Sequence, residues 1–221
     1  ISSLAGADID ASSFGRTMLA TALVMVCMGL ATFAMARLLR RDWRVLLAPM
    51  MYPNTGNMGL PVVLYAFGSA GFAFGITVMV TVSLFQFTIG AVIASTGNPL
   101  RTLVRTPTVY AILIALTLLL TDTELPRWLA NSVGLISGFT VPLMLITLGV
   151  SLASIKVKNL RSGIGFSLLR IPVAALLAWG IGTLLDLSPL ALSILVLQMS
   201  MPVAVFNYLF AQRAKREPEY V

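Results

Sequence analysis

The chain has 221 residues, of which 58% are hydrophobic and only 10% charged, with a mean hydropathy of +0.94; a soluble domain carries about 25% charged residues, so a single water-facing globule is excluded and lipid must solvate much of the surface. The apolar runs are long and lack a period of two, which excludes a barrel and leaves an all-α, polytopic membrane protein. The charge is +7, there is no histidine, and Cys27 is the one cysteine, so His-based zinc sites, His-dependent triads and an internal disulfide are all excluded.

Residues Ile1 to Gly15 are small and polar and lack the order of a signal peptide. They read as a loop entering a helix, and the chain is expected to begin mid-protein. Seven spanning segments follow: Thr17 to Leu39, Val45 to Phe67, Phe72 to Ser95, a short one over Thr108 to Thr121, Trp128 to Ile155, Ser162 to Leu185 and Pro189 to Phe210. Most reach the ~20 residues needed to cross ~30 Å of hydrocarbon. Cys27 and the scattered methionines read as packing residues, Gln86 and Asn207 as interhelical hydrogen-bond partners, and Pro142 as a kink.

The loops alternate in charge. Arg37, Arg40, Arg41 and Arg44 follow the first span, Arg101 and Arg105 the third, Lys156, Lys158 and Arg161 the fifth, and Arg213, Lys215 and Arg216 the seventh. Between them, Gly68 to Gly71 carries no charge, the fourth connection holds Asp122, Glu124 and Arg127, and the sixth holds Asp186. Basic residues collect on the cytoplasmic side of membrane proteins, so the chain is expected to start outside and end inside. The high pI is thus a topology signal and not a nucleic-acid signal.

The second span contains Pro53-Asn-Thr-Gly-Asn-Met-Gly-Leu-Pro61. Proline removes a donor and clashes with the preceding turn, glycine weakens a helix, and freed backbone groups in lipid need partners or a wet cavity. Asn54, Thr55 and Asn57 supply polar groups at that depth. The seventh span contains Gln198-Met199-Ser200-Met201-Pro202-Val203, and with Pro61 set on Pro202 it aligns with Asn57 to Val62. The second and seventh spans cross in opposite senses, which makes an inverted repeat with an interrupted helix in each half, the arrangement that points to a transporter's midplane site. With five helices per unit, two helices are missing before Thr17 and one after Phe210; Glu217-Pro218-Glu219 reads as the start of the latter.

At these residues the chain resembles the auxin efflux carrier family. The family's N-x-G-N-x-G-L-P core is matched at Asn54, Gly56, Asn57, Gly59, Leu60 and Pro61; Pro142 to Leu152 (PLMLITLGVSL) and Met201 to Gln212 (MPVAVFNYLFAQ) resemble two further segments. The resemblance implies ten helices in two inverted five-helix repeats, a fold shared with bile acid–sodium symporters, with a crossover at Pro61 and Pro202. It implies one membrane domain, in which a transport part (17–95 and 162–213) moves against a scaffold part (108–155) in an elevator-like cycle, often as a homodimer. Plant relatives export auxin and bacterial ones are linked to malate or malonate; the short Ser95 to Pro107 loop favours a bacterial inner-membrane protein.

The expected activity is transport of a small organic anion, with no catalysis and no cofactor. Asn54, Thr55, Asn57, Gln198 and Ser200 would hold substrate or ion; Pro53, Gly56, Gly59, Pro61, Met199 and Pro202 would keep the helices interrupted. Arg170 lies ~12 Å into the sixth span, where it either snorkels to the interface or pairs with an anionic substrate or a helix C-terminus. No Asp or Glu lies deep in a span, so coupling to Na+ or H+ stays open. The alternatives are a sodium-coupled bile-acid-like symporter, a channel and a non-transporting scaffold.

Overall fold

The computed structural model describes residues 11–40, 42–90, 125–154 and 160–204, with a few positions between 110 and 123. Most of the fourth span, the basic clusters beyond Ser95, and Asn207 and its neighbours lie outside the described residues. Among those described, the fold is all-α, as expected of a polytopic membrane protein.

Helix α1 (Ala11–Leu38) shows how such a helix is built. Its buried positions are Thr17, Ala20, Thr21, Val24, Met25, Met28 and Thr32, while Leu19, Leu23, Val26, Leu30 and Phe33 face outward. Three threonines thus point inward beside Val24, Met25 and Met28 while large apolar residues also cover the outside, the pattern of helices that associate in lipid. The buried hydroxyls need no neighbour. Thr17, Thr21 and Thr32 donate to the carbonyls of Ser13, Thr17 and Met28 at 2.7–2.8 Å, and Thr77 and Thr81 do the same one turn back in their own helix.

Helix α2 (Trp43–Met51) has only nine residues, about 14 Å, or about half the ~30 Å of a bilayer's hydrocarbon. Three non-helical residues follow, then a wide π-type turn (Thr55–Gly59) that leads into α3 (Leu60–Phe85) and a second π-type turn (Gln86–Gly90). Gly68 in α3 has φ 66° and ψ −161°, a backbone shape open only to glycine, and there the helix reverses. A Cβ on Gly75 would lie 3.2 Å from the Leu60 side chain; an unbroken helix would separate residues 60 and 75 by about 22 Å. The two arms of α3 are therefore an antiparallel pair, and the 36-residue apolar stretch Thr55–Gly90 belongs to two spans.

The expected fifth span is two helices, α4 (Arg127–Gly138) and α5 (Thr140–Ser154). The break falls at Gly138, four residues before Pro142, whose ring excludes the carbonyl at that position. Helix α6 (Leu160–Leu184) carries Pro172 in its interior. Helix α7 (Pro189–Met199) opens on Ser188, whose hydroxyl accepts from the Ala191 N–H at 3.3 Å, and ends after eleven residues, about 17 Å. The main core joins Ala20, Val24, Met25 and Met28 of α1, Leu47 and Met51 of α2, Val78 and Val82 of α3, Ala174 and Ala178 of α6, and Leu195 and Met199 of α7. Helices α4 and α5 stand apart from it: the stretch Arg127–Val150 is exposed almost throughout, but α5 packs on the Thr55–Gly59 turn.

Candidate functional site

The two half-length helices end at the same place. After α2, residues Tyr52 to Asn54 leave the helix; after α7, so do Pro202 to Ala204. The segments lie antiparallel, with Pro53 opposite Val203. The Asn54 N–H donates to the Pro202 carbonyl at 2.8 Å, and the Ala204 N–H donates to the Tyr52 carbonyl at 3.2 Å. The two bonds are related by a local two-fold axis, and Pro53 occupies the pair position at which no N–H is required. Backbone groups released by the breaks thus satisfy one another, which is what a helix interrupted in hydrocarbon needs. The two broken spans run in opposite directions where they cross.

This geometry corrects the expected register. Pro61 is not at the crossing; it is the second residue of α3, where a missing N–H is tolerated. Gly56 and Gly59 are not in an unwound segment either. They belong to the π-type turn, closed by the Gly59 N–H on the Asn54 carbonyl at 3.0 Å. The partner of the second break is Pro53, eight residues before Pro61, so side-chain similarity aligns the halves out of step. Pro53, Pro202 and, at the end of α7, Met199 are where the helices stop.

The polar residues gather around these ends. Asn54 and Thr55 are buried, and Asn57 is half-buried in the turn that α5 contacts. Asn54 precedes the turn without capping it through its side chain. Ser200 spends its hydroxyl proton on the Val196 carbonyl at 2.7 Å, leaving lone pairs to accept.

Gln198 is fully buried, in a slot made by two glycines. Its Nε2 donates to the Gly75 carbonyl at 3.4 Å. A Cβ on Gly59 would overlap its Oε1, and one on Gly75 would stand 3.3 Å from its Nε2. The Oε1 itself has no hydrogen-bond partner among the described residues.

Arg170 is 2% exposed and does not snorkel. Its guanidinium donates to the Met201 carbonyl and, at 3.5 Å, to the Met199 carbonyl. Of the two expectations for this residue, pairing with a helix C-terminus is the one the geometry matches. Arg170 and the Asn54 N–H hold consecutive carbonyls, those of Met201 and Pro202, so the positive group and the first break are bound to one short segment.

Two contributors are not singled out by sequence reasoning. Tyr52 supplies a crossing carbonyl, is 1% exposed and donates its hydroxyl to the Phe85 carbonyl at 3.2 Å. Gly75 forms one wall of the Gln198 slot. Tyr52 does stand immediately before the Pro53 motif, a local signal; Gly75 has none, because its partner is 123 residues away.

A family model described as membrane transport protein matches residues 91–221, more than half of the chain. An uncharacterized transporter of Methanothermobacter thermautotrophicus is 31% identical over 183 residues, which cover 77% of this chain and 58% of that protein. The chain therefore spans less than two thirds of that relative's length.

Proposed function

The chain belongs to the membrane transport protein family, in keeping with its resemblance to auxin efflux carriers, and on that premise we propose that it moves a small organic anion across the membrane by alternating access. The supporting observation is the crossing itself, where two half-helices end against each other and polar groups collect in a chain whose spans carry no carboxylate. A carboxylate substrate would meet the N-terminal end of the Thr55–Gly59 turn, whose first N–H groups favour negative charge, under the field of Arg170. Asn54, Thr55 and Asn57 would hold it from one side, with Gln198 and Ser200 contributing from the other.

The core helices α1, α2, α3, α6 and α7 would move as one body, and α4 and α5 would form the frame. The shared core of the five, and the contact of α5 with the substrate turn, favour that division. An elevator-like displacement would then carry the crossing past α5. Malonate-like and malate-like dicarboxylates and auxin-like aromatic acids are the substrate classes to test first.

The deciding experiment is a thermal-shift screen of those acids on the full-length protein and on Asn57→Ala. Ligand stabilisation follows RT ln(1 + [L]/Kd), about 2.7 kcal/mol at a hundredfold excess over Kd, so millimolar binders register. At least one acid is expected to raise the wild-type Tm and to lose that effect in Asn57→Ala. If no organic anion moves the wild-type melt, or if the variant responds as wild type does, the proposed site is wrong.

A further inference from the structure

We infer that Arg170 is a tethered counter-cation for the second helix break, filling with the protein's own charge the place at the end of α7 that a free metal cation would otherwise take. The inference starts from backbone chemistry. A helix that stops inside the bilayer leaves its last carbonyls without intrahelical donors, and those carbonyls carry the negative end of the helix dipole. In hydrocarbon they need a partner, and in transporters with broken helices such ends are commonly coordinated by Na+ or H+.

Five carbonyls at and just beyond the end of α7 have donors. Val196 receives the Ser200 N–H and hydroxyl, Gln198 receives the Met201 N–H, and Pro202 receives the Asn54 N–H. Met199 and Met201 both receive the Arg170 guanidinium. A guanidinium is well suited to bridging two carbonyls, because it is planar, offers several donors in a fixed fork and keeps its charge at any physiological pH.

No other feature of the fold accounts for so buried a charge. It cannot be solvated, and the carboxylates whose side chains are described, Asp42 and Asp186, are exposed residues at helix ends. No Asp or Glu occurs within any span expected in this sequence, and among the described residues Arg170 has backbone carbonyls and no carboxylate as its partners. On the same inward line of α6, one and two turns on, stand Ala174 and Ala178, which bury no polar atom in their side chains. A charge is costly at that depth in a membrane, so an arginine held there by backbone carbonyls calls for a role that repays its burial. Its Nε is buried and has no partner among the described residues, which leaves one charged donor over after the carbonyls are met.

The consequence is an ion requirement that differs from that of a sodium-coupled carrier. Two carbonyls at the end of α7 already carry a cation, so the crossing is expected to assemble without Na+. This rests on the geometry at Met199 and Met201, not on the identity of the substrate, and a failed anion screen leaves it standing.

The experiment measures the Tm of full-length protein in detergent, titrating sodium chloride against choline chloride at constant ionic strength, for wild type, Arg170→Met and Arg170→Lys. Wild type is expected to melt at the same temperature in both salts. Arg170→Met, similar in bulk but uncharged, is expected to melt roughly 5–15 °C lower, the loss for a buried charged hydrogen-bond donor in a chain of this size. Millimolar methylguanidinium is expected to restore part of that loss saturably and to leave wild type unchanged, which a purely packing role would not produce. Arg170→Lys is expected to melt between the two. A saturable sodium stabilisation of wild type overturns the inference, as does an Arg170→Met protein that melts like wild type or ignores methylguanidinium. If Arg170→Met cannot be purified, a folded, sodium-insensitive Arg170→Lys supports it, and sodium stabilisation of wild type still overturns it.

Discussion

At the scale of single residues, the tightest constraint is the fit of Gln198 between two glycines. A methyl on residue 59 would overlap Oε1 and fall 2.9 Å from Cδ, so Gly59→Ala expels the amide from its slot. Overpacking of this kind costs about 1–3 kcal/mol. Gln198→Ala empties the slot instead and takes the Nε2 donor from the Gly75 carbonyl, a loss of about 1–3 kcal/mol. The two changes relieve each other, because the added methyl occupies space the amide has left. The double variant is therefore expected to be more stable than the sum of the singles by about 0.5–3 kcal/mol, measured by thermal or detergent-induced unfolding. Strict additivity would show that Gln198 does not lie against Gly59.

At the scale of elements, the reversal at Gly68 is held by backbone shape alone. No atom lies within 4 Å of a Cβ placed there, so sterics with neighbours would permit alanine, but φ 66° with ψ −161° does not. Gly68→Ala is expected to lose about 1–3 kcal/mol, whereas Ser69→Ala, at the adjacent exposed residue, should stay within about 0.5 kcal/mol. Equal melts for the two would mean that α3 does not turn at Gly68. The same contrast between local and long-range causes explains what can be read from sequence. Helix α6 and the C-terminal end of α1 are legible to within two residues, because charges and turns mark those ends, but α1 begins at Ala11, inside the small and polar stretch expected to be a loop. The interruption of the second span is legible as a cluster of Pro and Gly, but its centre is not. Pro53 and Pro61 look equally disruptive in sequence, and only the pairing of Tyr52–Asn54 with Pro202–Ala204 separates a break from a helix start. Helix capping by Arg170 can be named as one option but not chosen, since its carbonyl partners lie 29 and 31 residues away. Gln198 is legible as a polar residue near a proline, while its glycine slot is not.

At the scale of the whole molecule, two asymmetries govern how the chain sits in a bilayer. The first is radial. Leu19, Leu23, Val26, Leu30 and Phe33 cover the outside of α1 while threonines share its buried side with apolar residues, so the bundle needs hydrocarbon around it. The second runs along the membrane normal. Arg37, Arg40, Arg41 and Arg44 cluster at one end of the first two spans, and the reversal at Gly68 at the other end has no charge. Lysine and arginine resist translocation while uncharged turns do not, so the basic end is expected to face the cytoplasm and the uncharged end the outside. In a Cys27→Ser background, Ser69→Cys and Thr123→Cys are expected to react with a membrane-impermeant maleimide added to intact cells. Arg41→Cys and Lys158→Cys are expected to react only after permeabilisation. The two broken spans cross in opposite directions, so the break in each is approached from opposite faces, and a fixed orientation then decides which half-helix meets substrate first from the cytoplasm. Labelling of Arg41→Cys from outside would reverse that order.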